Sequence, residues 1–123
     1  MLKKIRIPVL RWPGGCFIEN YDWRDGIGEK SQRPTTVNFW HNEDGKLETN
    51  QVGTHEFAEY CEALGAEPYF AVNCTSTTMM EARNWVEYCT FPKDTTLTRL
   101  RKENGREEPF NISFWGLGNE CWG

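Results

Sequence analysis

Short apolar runs alternate along this chain with segments of helical periodicity, and this alternation limits the fold more than any other feature. Residues 5–10 are predicted to form a buried strand, residues 68–73 a second and residues 111–118 a third, with amphipathic helices beginning near Thr54 and Thr78. Strands separated by helices pair in parallel through crossover connections. The sequence therefore predicts an α/β fold, either a doubly wound sheet or part of a (β/α)8 barrel. No G-x-G-x-x-G motif follows the first strand, which disfavours the dinucleotide-binding version.

The two helices have recognisable ends. Thr54 is the candidate N-cap of the first helix and Gly65 its C-terminal stop, whereas Thr78 and Glu81 have capping-box spacing at the start of the second. The helical spacing predicts that these helices bury Phe57, Tyr60, Cys61 and Leu64, and Ala82, Trp85, Val86 and Cys89, respectively. Between the elements, residues 16–53 are predicted to form a long, aromatic-rich loop, and residues 93–110 a charged, irregular segment with one short helical turn.

Composition excludes several classes of protein. The length of 123 residues suits one small domain, and the net charge of −4 disfavours a nucleic-acid partner. No apolar run is long enough for a membrane span, and the first residues lack the apolar core of a signal peptide. The five cysteines are odd in number and scattered, which indicates reduced thiols and a cytoplasmic protein. An export signal upstream of these residues stays open as an alternative.

Metal and cofactor sites are not predicted. The chain has no C-x-x-C pair and no histidines at metal-ligand spacing. His41 and His55 are interpreted as solvated loop and helix-start residues rather than ligands.

Polar residues follow all three predicted strands. Because the carboxyl ends of parallel strands form the ligand-binding edge of an α/β sheet, these side chains are expected to converge there. Tryptophans in the neighbouring loops add apolar faces, and such a mixture suits a sugar, which presents both C–H surfaces and hydroxyls. The converging residues are Arg11, Asn73, Asn119 and Glu120, and the tryptophans are Trp12, Trp23, Trp40 and Trp122.

Each candidate site residue has a functional and a structural interpretation. Glu120 would lose solvation among tryptophans and act as a general acid/base, or it caps or salt-bridges the next segment. Asn119 holds a sugar hydroxyl or satisfies a turn. Arg11 pairs with a site carboxylate or lies at the surface. Cys16 is a substrate contact or a small buried hydrophobe, and Trp40 is a sugar platform or a core residue.

Several motifs together resemble glycoside hydrolase family 51, the α-L-arabinofuranosidases. They are LRWPGGCF, YDWRDGIG, TNQVGTHEFAEYCEALGAEPYFAVN, EARNWVEYC and LRKENGREEPFNISFWGLGNE, and they extend from about Leu10 to Trp122. The resemblance implies a catalytic (β/α)8 barrel followed by a β-sandwich. It further implies that residues 1–123 supply only about strands 2 to 4 of that barrel with their helices, and that the remaining barrel and the β-sandwich lie outside this sequence.

The resemblance also implies roles for individual residues. Glu120 matches the acid/base of a retaining mechanism, Asn119 the residue that binds the 2-hydroxyl of the sugar, and Arg11 the arginine that braces the nucleophile. Many members carry asparagine where this chain has Cys16, so a polar contact there does not transfer directly. Trp40 would line the substrate pocket if its loop aligns with theirs. Asn73, at the end of the second predicted strand, completes the expected substrate-binding set.

A retaining mechanism needs a second carboxyl group as nucleophile, and the resemblance places it at the seventh strand, outside this sequence. We therefore expect a homo-oligomeric parent protein that removes terminal α-L-arabinofuranosyl groups from arabinan or arabinoxylan fragments, and an isolated 123-residue chain that does not. Arabinose-containing oligosaccharides or polysaccharides would be its partners, with no cofactor. The alternatives are another retaining barrel glycosidase and a truncated, non-catalytic sugar-binding remnant.

Overall fold

A computed structural model describes residues 2–40 and 46–121. The elements in chain order are α1 (Leu2–Ile5), β1 (Val9–Trp12), β2 (Thr36–Val37), β3 (Leu47–Glu48), α2 (Thr54–Leu64), β4 (Glu67–Val72), α3 (Met79–Thr90), α4 (Thr96–Glu103) and β5 (Phe114–Leu117). The main sheet is parallel, as the alternation of elements predicts, with the strand order β1-β4-β5. A second sheet is a small antiparallel hairpin of β2 and β3.

The first strand begins later than its apolar residues predict. Residues 2–5 form the short helix α1, and Arg6 then takes a positive φ of 53°, so an extended chain starts only near Pro8. The carbonyl of Pro8 accepts the first cross-strand bond, from the N–H of Glu67. The prediction of a buried strand over residues 5–10 was therefore wrong in position and in burial, since Val9 is 41% exposed.

The long predicted loop contains regular structure. Three short 3-10 turns occupy Gly15–Asn20, Trp23–Gly26 and Lys30–Gln32, and the β2–β3 hairpin follows them. Arg33 organises the end of this segment, because its guanidinium donates to the carbonyls of Gly28 and Asn50 and pairs with Glu56 on α2. Burial, the largest single influence, would raise the pKa of Glu56, but the hydrogen bond and charge of Arg33 together with backbone N–H groups at the helix start outweigh it, so the pKa is lowered.

Helix α2 ends where predicted, before Gly65, but begins one residue earlier. Gly53 is the N-cap, and its N–H donates to the Glu56 carboxylate at 3.2 Å. Thr54, the predicted cap, lies inside the first turn, where its hydroxyl accepts from the Trp85 indole N–H at 3.0 Å. Tyr60 was predicted to be buried and is 45% exposed, because Ala58 occupies the core-facing position beside Phe57 instead.

Helix α3 packs on the same face of the sheet and completes the core. Thr78 caps it as predicted, since its hydroxyl accepts from the N–H of Glu81. Trp85 is 2% exposed and lies edge-on to Phe70 of β4, with ring centroids 5.2 Å apart. Val86, predicted to be buried, is only half-buried, and Tyr88 takes its place in the core.

Residues 93–110 are more regular than predicted, because they contain the two-turn helix α4. The Thr95 hydroxyl accepts from the N–H of Thr98 and caps the helix. Arg101 is 1% exposed, and its guanidinium donates to the carbonyls of Tyr88 and Phe91 at 3.0 Å each, at the C-terminus of α3. A cation that satisfies helix C-terminal carbonyls is also favoured by the helix dipole. In the described ranges, no helix is both long and apolar enough to cross a membrane.

His55 was predicted to be solvated, but it is 7% exposed. Its Nε2 lies 2.6 Å from the Tyr88 hydroxyl, which also accepts from the Asn104 side-chain amide at 3.0 Å. Because the hydroxyl accepts from Asn104, its own proton is available to a neutral His55. Burial lowers the pKa of His55 to about 4.

This buried histidine predicts loss of stability in mild acid. The unfolded chain takes up a proton on His55 near pH 6.5, whereas the folded chain does so only near pH 4. Between these values the unfolded state binds more protons, so about 3 kcal/mol of unfolding free energy is lost as the pH falls from 7 to 4. Urea unfolding at pH 7.5 and pH 4.5 measures this loss. In His55→Gln the loss of unfolding free energy should be smaller, because only the carboxylates, which both proteins share, still titrate in this range. An equal loss in both proteins would show that His55 is not its cause.

Candidate active site

The predicted site residues from the first and third strands of the sheet meet at its carboxyl edge. Arg11, on β1, donates from Nη2 to the Oδ1 of Asn119 at 2.8 Å. The side-chain amide of Asn119 approaches the sulfur of Cys16 at 3.8 Å, a distance suited to a weak N–H···S contact. Arg11, Cys16 and Asn119 are thus connected through the side chain of Asn119, which is fixed from both of its ends.

Glu120 follows Asn119 in a tight turn after β5. Gly118 has a φ of 68° and donates its N–H to the carbonyl of Val72 at 2.9 Å, which continues the pairing with β4. Glu120 itself has a φ of 50°, a left-handed conformation that costs energy for a residue with a side chain. Backbone strain of this kind concentrates at functional sites.

The carboxylate of Glu120 is open to solvent. Glu120 is an exposed residue, so the sequence-based expectation that tryptophans desolvate it is not met within the part of the chain that the structure describes. Because Glu120 is exposed at the carboxyl edge of the sheet, its carboxylate can contact a ligand bound there. Trp122, which was expected beside it, lies outside the described residues, as does His41.

Asn73 lies at the end of β4, as predicted, but its amide is occupied. Oδ1 accepts from the N–H groups of Thr75 and Ser76, and Nδ2 donates to the carbonyl of Tyr21 and to the Ser76 hydroxyl. This is an Asx turn that fixes the loop after β4 against the loop after β1. With 7% of its surface exposed, Asn73 has the environment of a structural residue.

Two of the tryptophans expected at the site pack against core rings. Trp12 stacks on Phe57 with centroids 5.5 Å apart, and Trp23 is 4% exposed and stacks on Trp85. Trp23 is therefore a core residue, whereas Trp12 is half-buried and also lines a pocket. Sequence periodicity could not identify this, because both residues lie outside the helices and pack through tertiary contacts.

Trp40 is the most exposed of the predicted platforms in the described ranges, with 50% exposure. It follows β2, and its N–H donates to the Asn38 side chain. A shallow pocket beside it is also lined by Phe17 and Glu48. Arg11 and Asn119 are not among the residues that line this pocket.

The pocket beside Trp40 includes Tyr21, which the sequence did not single out. Its hydroxyl is buried without a hydrogen-bond partner in the described part of the chain, and burial raises its pKa. The aromatic run in which it lies was the only signal in the sequence. Within residues 2–40 and 46–121, no three His, Cys, Asp or Glu side chains group in a way that could hold a metal ion.

Known proteins match this chain over almost its whole length. The family described as "Alpha-L-arabinofuranosidase 1 domain" matches residues 1–123. "Probable alpha-L-arabinofuranosidase C" of Aspergillus clavatus is 52% identical over 123 residues, which cover 99% of this chain and 24% of that protein. "Intracellular exo-alpha-L-arabinofuranosidase" of Bacteroides ovatus is 49% identical over 122 residues, covering 99% and 23%.

Solved structures of α-L-arabinofuranosidases also match this chain. The crystal structure of an α-L-arabinofuranosidase from Thermotoga maritima, an arabinose complex, superposes with a TM-score of 0.93 at 48% identity and covers 99% of this chain and 25% of that one. The parallel sheet and its helices have the fold of the corresponding part of this α/β glycoside hydrolase. The chain belongs to family 51 of that class, the α-L-arabinofuranosidases. It spans about a quarter of the length of the relatives it matches.

Proposed function

We propose that these residues form part of a retaining α-L-arabinofuranosidase and supply its acid/base, Glu120. The observation that carries the proposal is the hydrogen bond from Arg11 to Asn119, which fixes the residue preceding an exposed carboxylate at the carboxyl edge of a parallel sheet. Ligands of parallel α/β sheets bind at that edge. The names of the relatives support terminal α-L-arabinofuranosyl groups as the groups removed. We propose arabinan-type or arabinoxylan-type oligosaccharides and polysaccharides as the substrates that carry them.

In the proposed reaction, Glu120 gives its proton to the glycosidic oxygen as the bond to the leaving group breaks. A second carboxylate attacks the anomeric carbon, and Glu120 then deprotonates the water that releases arabinose. The side-chain amide of Asn119 binds a sugar hydroxyl, and the hydrogen bond from Arg11 restrains the Asn119 side chain. We propose that the nucleophile comes from protein outside these 123 residues, so that the isolated chain is inactive.

The barrel proposal rests on open surfaces of the sheet. Side chains alternate between the two faces of a strand, and the helices cover only the face that carries Phe70 and Trp115. Phe114 lies on the opposite face and is 48% exposed, whereas Leu117, on the helix face at the outer strand, is 74% exposed. A (β/α)8 barrel, with these strands as about strands 2 to 4, would cover both surfaces, and a β-sandwich would follow it.

The location and assembly of the protein are also proposed. The name of the Bacteroides ovatus relative, which includes "Intracellular", supports a cytoplasmic location. The cysteines in the described ranges are free thiols, which is compatible with a reducing compartment.

We propose a homo-oligomer for the parent protein, and its mass in solution tests this.

Turnover of aryl glycosides tests the function. The complete reading frame containing these residues is expressed and assayed with aryl α-L-arabinofuranoside, β-xylopyranoside and β-glucopyranoside, and the arabinofuranoside is expected to be hydrolysed fastest. Preference for another glycoside would favour a different retaining barrel glycosidase. Binding of arabino-oligosaccharides without turnover would favour the non-catalytic remnant. Turnover by the 123-residue chain alone would contradict the external nucleophile.

Arg11 is expected to act through Asn119, as a positioning residue. Arg11→Met removes the 2.8 Å bond and frees the amide to rotate, and we expect kcat/KM for the arabinofuranoside to fall about 100-fold, because small misplacements in an active site carry costs of that order. Arg83→Met is the matched control, since Arg83 is an exposed residue that pairs with Glu87 on α3. Equal kinetics for the two variants would contradict the role of Arg11.

A further inference from the structure

Two cysteines flank one glycine beside Glu120. A Cβ atom built on Gly118 would lie 2.4 Å from the sulfur of Cys121 and 3.8 Å from the sulfur of Cys74. Cys74 follows β4 and Cys121 follows β5, so the two thiols come from neighbouring strands of the sheet. Because Gly118 has no side chain, no Cβ atom occupies this position close to both sulfurs.

The two thiols are free and differ in accessibility. Cys121 is exposed and Cys74 is half-buried. Each approaches a backbone carbonyl close to its own strand end, Cys74 that of Val72 at 3.7 Å and Cys121 that of Asn119 at 3.6 Å. Burial raises the pKa of the Cys74 thiol, and the nearby Cys121 adds to this rise. Cys121 is therefore the thiol that a dissolved reagent meets first.

The other cysteines are less suited to react. Cys61 and Cys89 are both 0% exposed in the core, and burial raises the pKa of each thiol. Cys16 is half-buried, and its sulfur faces the Asn119 amide. Cys121 and Cys74 are thus at least partly accessible to a reagent, whereas the core thiols of Cys61 and Cys89 serve as internal controls.

We propose that Cys74 and Cys121 are an oxidisable thiol pair that hydrogen peroxide converts to an intrachain disulfide. The Cys121 thiolate attacks a peroxide oxygen, the O–O bond breaks, and the leaving hydroxide takes up a proton to give water and a sulfenic acid. The Cys74 sulfur then attacks the Cys121 sulfur, the S–O bond breaks, and a second water leaves. One peroxide is reduced while two thiols become one disulfide.

The disulfide would tie the segment that carries Asn119 and Glu120 to the loop after β4. The contact of the Cys121 thiol with the Asn119 carbonyl would be lost, and the turn around Glu120 would be held by a covalent bond. Loss of hydrolysis on oxidation follows only if the proposed function holds. The bond itself is independent of that function.

Mass spectrometry after oxidation tests the pair. The folded protein is treated with hydrogen peroxide, remaining thiols are alkylated in denaturant, and peptides are mapped without reductant. We expect a peptide containing Cys74 linked to one containing Cys121, reversed by dithiothreitol, with Cys61 and Cys89 still alkylated. A link from Cys16 to Cys121, or sulfinic acid on Cys121 without a link, would overturn the proposal.

Two variants sharpen the result. In Cys74→Ser the resolving thiol is absent, so Cys121 should proceed to sulfinic acid, whereas Cys16→Ser should form the same link as the unaltered protein. The mapping needs no activity. Failure of the reduced protein to hydrolyse arabinofuranosides would therefore count against the proposed function alone, and absence of the link against the thiol pair alone.

Discussion

Glu120→Gln is expected to lower kcat/KM for an alkyl or oligosaccharide α-L-arabinofuranoside by about 10³-fold in the protein encoded by the complete reading frame, which is within the usual contribution of general acid catalysis. Glutamine keeps the shape of the side chain but has no proton to give to the leaving oxygen. The turn at this position, with its φ of 50°, is retained, so the loss reports chemistry rather than folding.

The leaving group provides the decisive control for this prediction. A dinitrophenyl arabinofuranoside needs little protonation to depart, so glycosylation of the nucleophile by this substrate should be affected far less. The second step still lacks a base, and azide, which needs no base, should accelerate turnover and give an arabinosyl azide. An equal loss on all substrates without azide rescue would show that Glu120 is not the acid/base. Glu108→Gln, an exposed residue in the loop before β5, should leave the kinetics unchanged.

The second large effect is expected in stability. Gly53→Ala should lower the free energy of unfolding by about 3 kcal/mol, at the upper end of the cost of overpacking. A Cβ at this position would lie 1.7 Å from the carbonyl oxygen of Gly26 and 2.5 Å from its carbonyl carbon. These are backbone atoms, which cannot rotate aside as a side chain would, so the 3-10 turn over Trp23–Gly26 must separate from the N-terminus of α2.

Gly14→Ala is the matched control for Gly53→Ala. Gly14 has a φ of −109° and a ψ of 155°, which any residue adopts, and a Cβ there would meet nothing within 4 Å. Its unfolding free energy should stay within about 0.5 kcal/mol of the unaltered protein, as for other uncrowded positions. Thermal or urea unfolding of both variants makes the comparison. If the two glycine variants were equally stable, the close packing of Gly26 on Gly53 would be wrong.

The candidate site was only partly accessible to sequence analysis. Arg11, Asn119 and Glu120 could be selected because polar residues directly after apolar strands must gather at one edge of a parallel sheet. Asn73 follows the same rule, yet its amide is used by Thr75, Ser76 and the distant carbonyl of Tyr21. A local pattern shows where a strand ends but not which partners a side chain there will find.

The sequence analysis also made errors in predicting which helix residues are buried. Tyr60 and Val86 fit a helical stripe and are not fully buried, while His55 and Tyr88 are buried as a hydrogen-bonded pair that periodicity does not mark. Helical spacing shows which residues share a face. It does not show how far that face is covered, because coverage depends on elements that arrive from elsewhere in the chain.

The sequence by itself determined the parallel sheet, the alternation of its three strands with α2 and α3, the end of α2 at Leu64 and the start of α3 at Met79. These depend on side-chain periodicity and on caps such as Thr78, which act over one or two turns. Only the tertiary structure decided that Trp23 belongs to the core, that the guanidiniums of Arg33 and Arg101 bind backbone carbonyls, and that Cys74 and Cys121 both lie near Gly118. Such contacts join residues far apart in the chain, and their energy depends on which surfaces the folded backbone brings together.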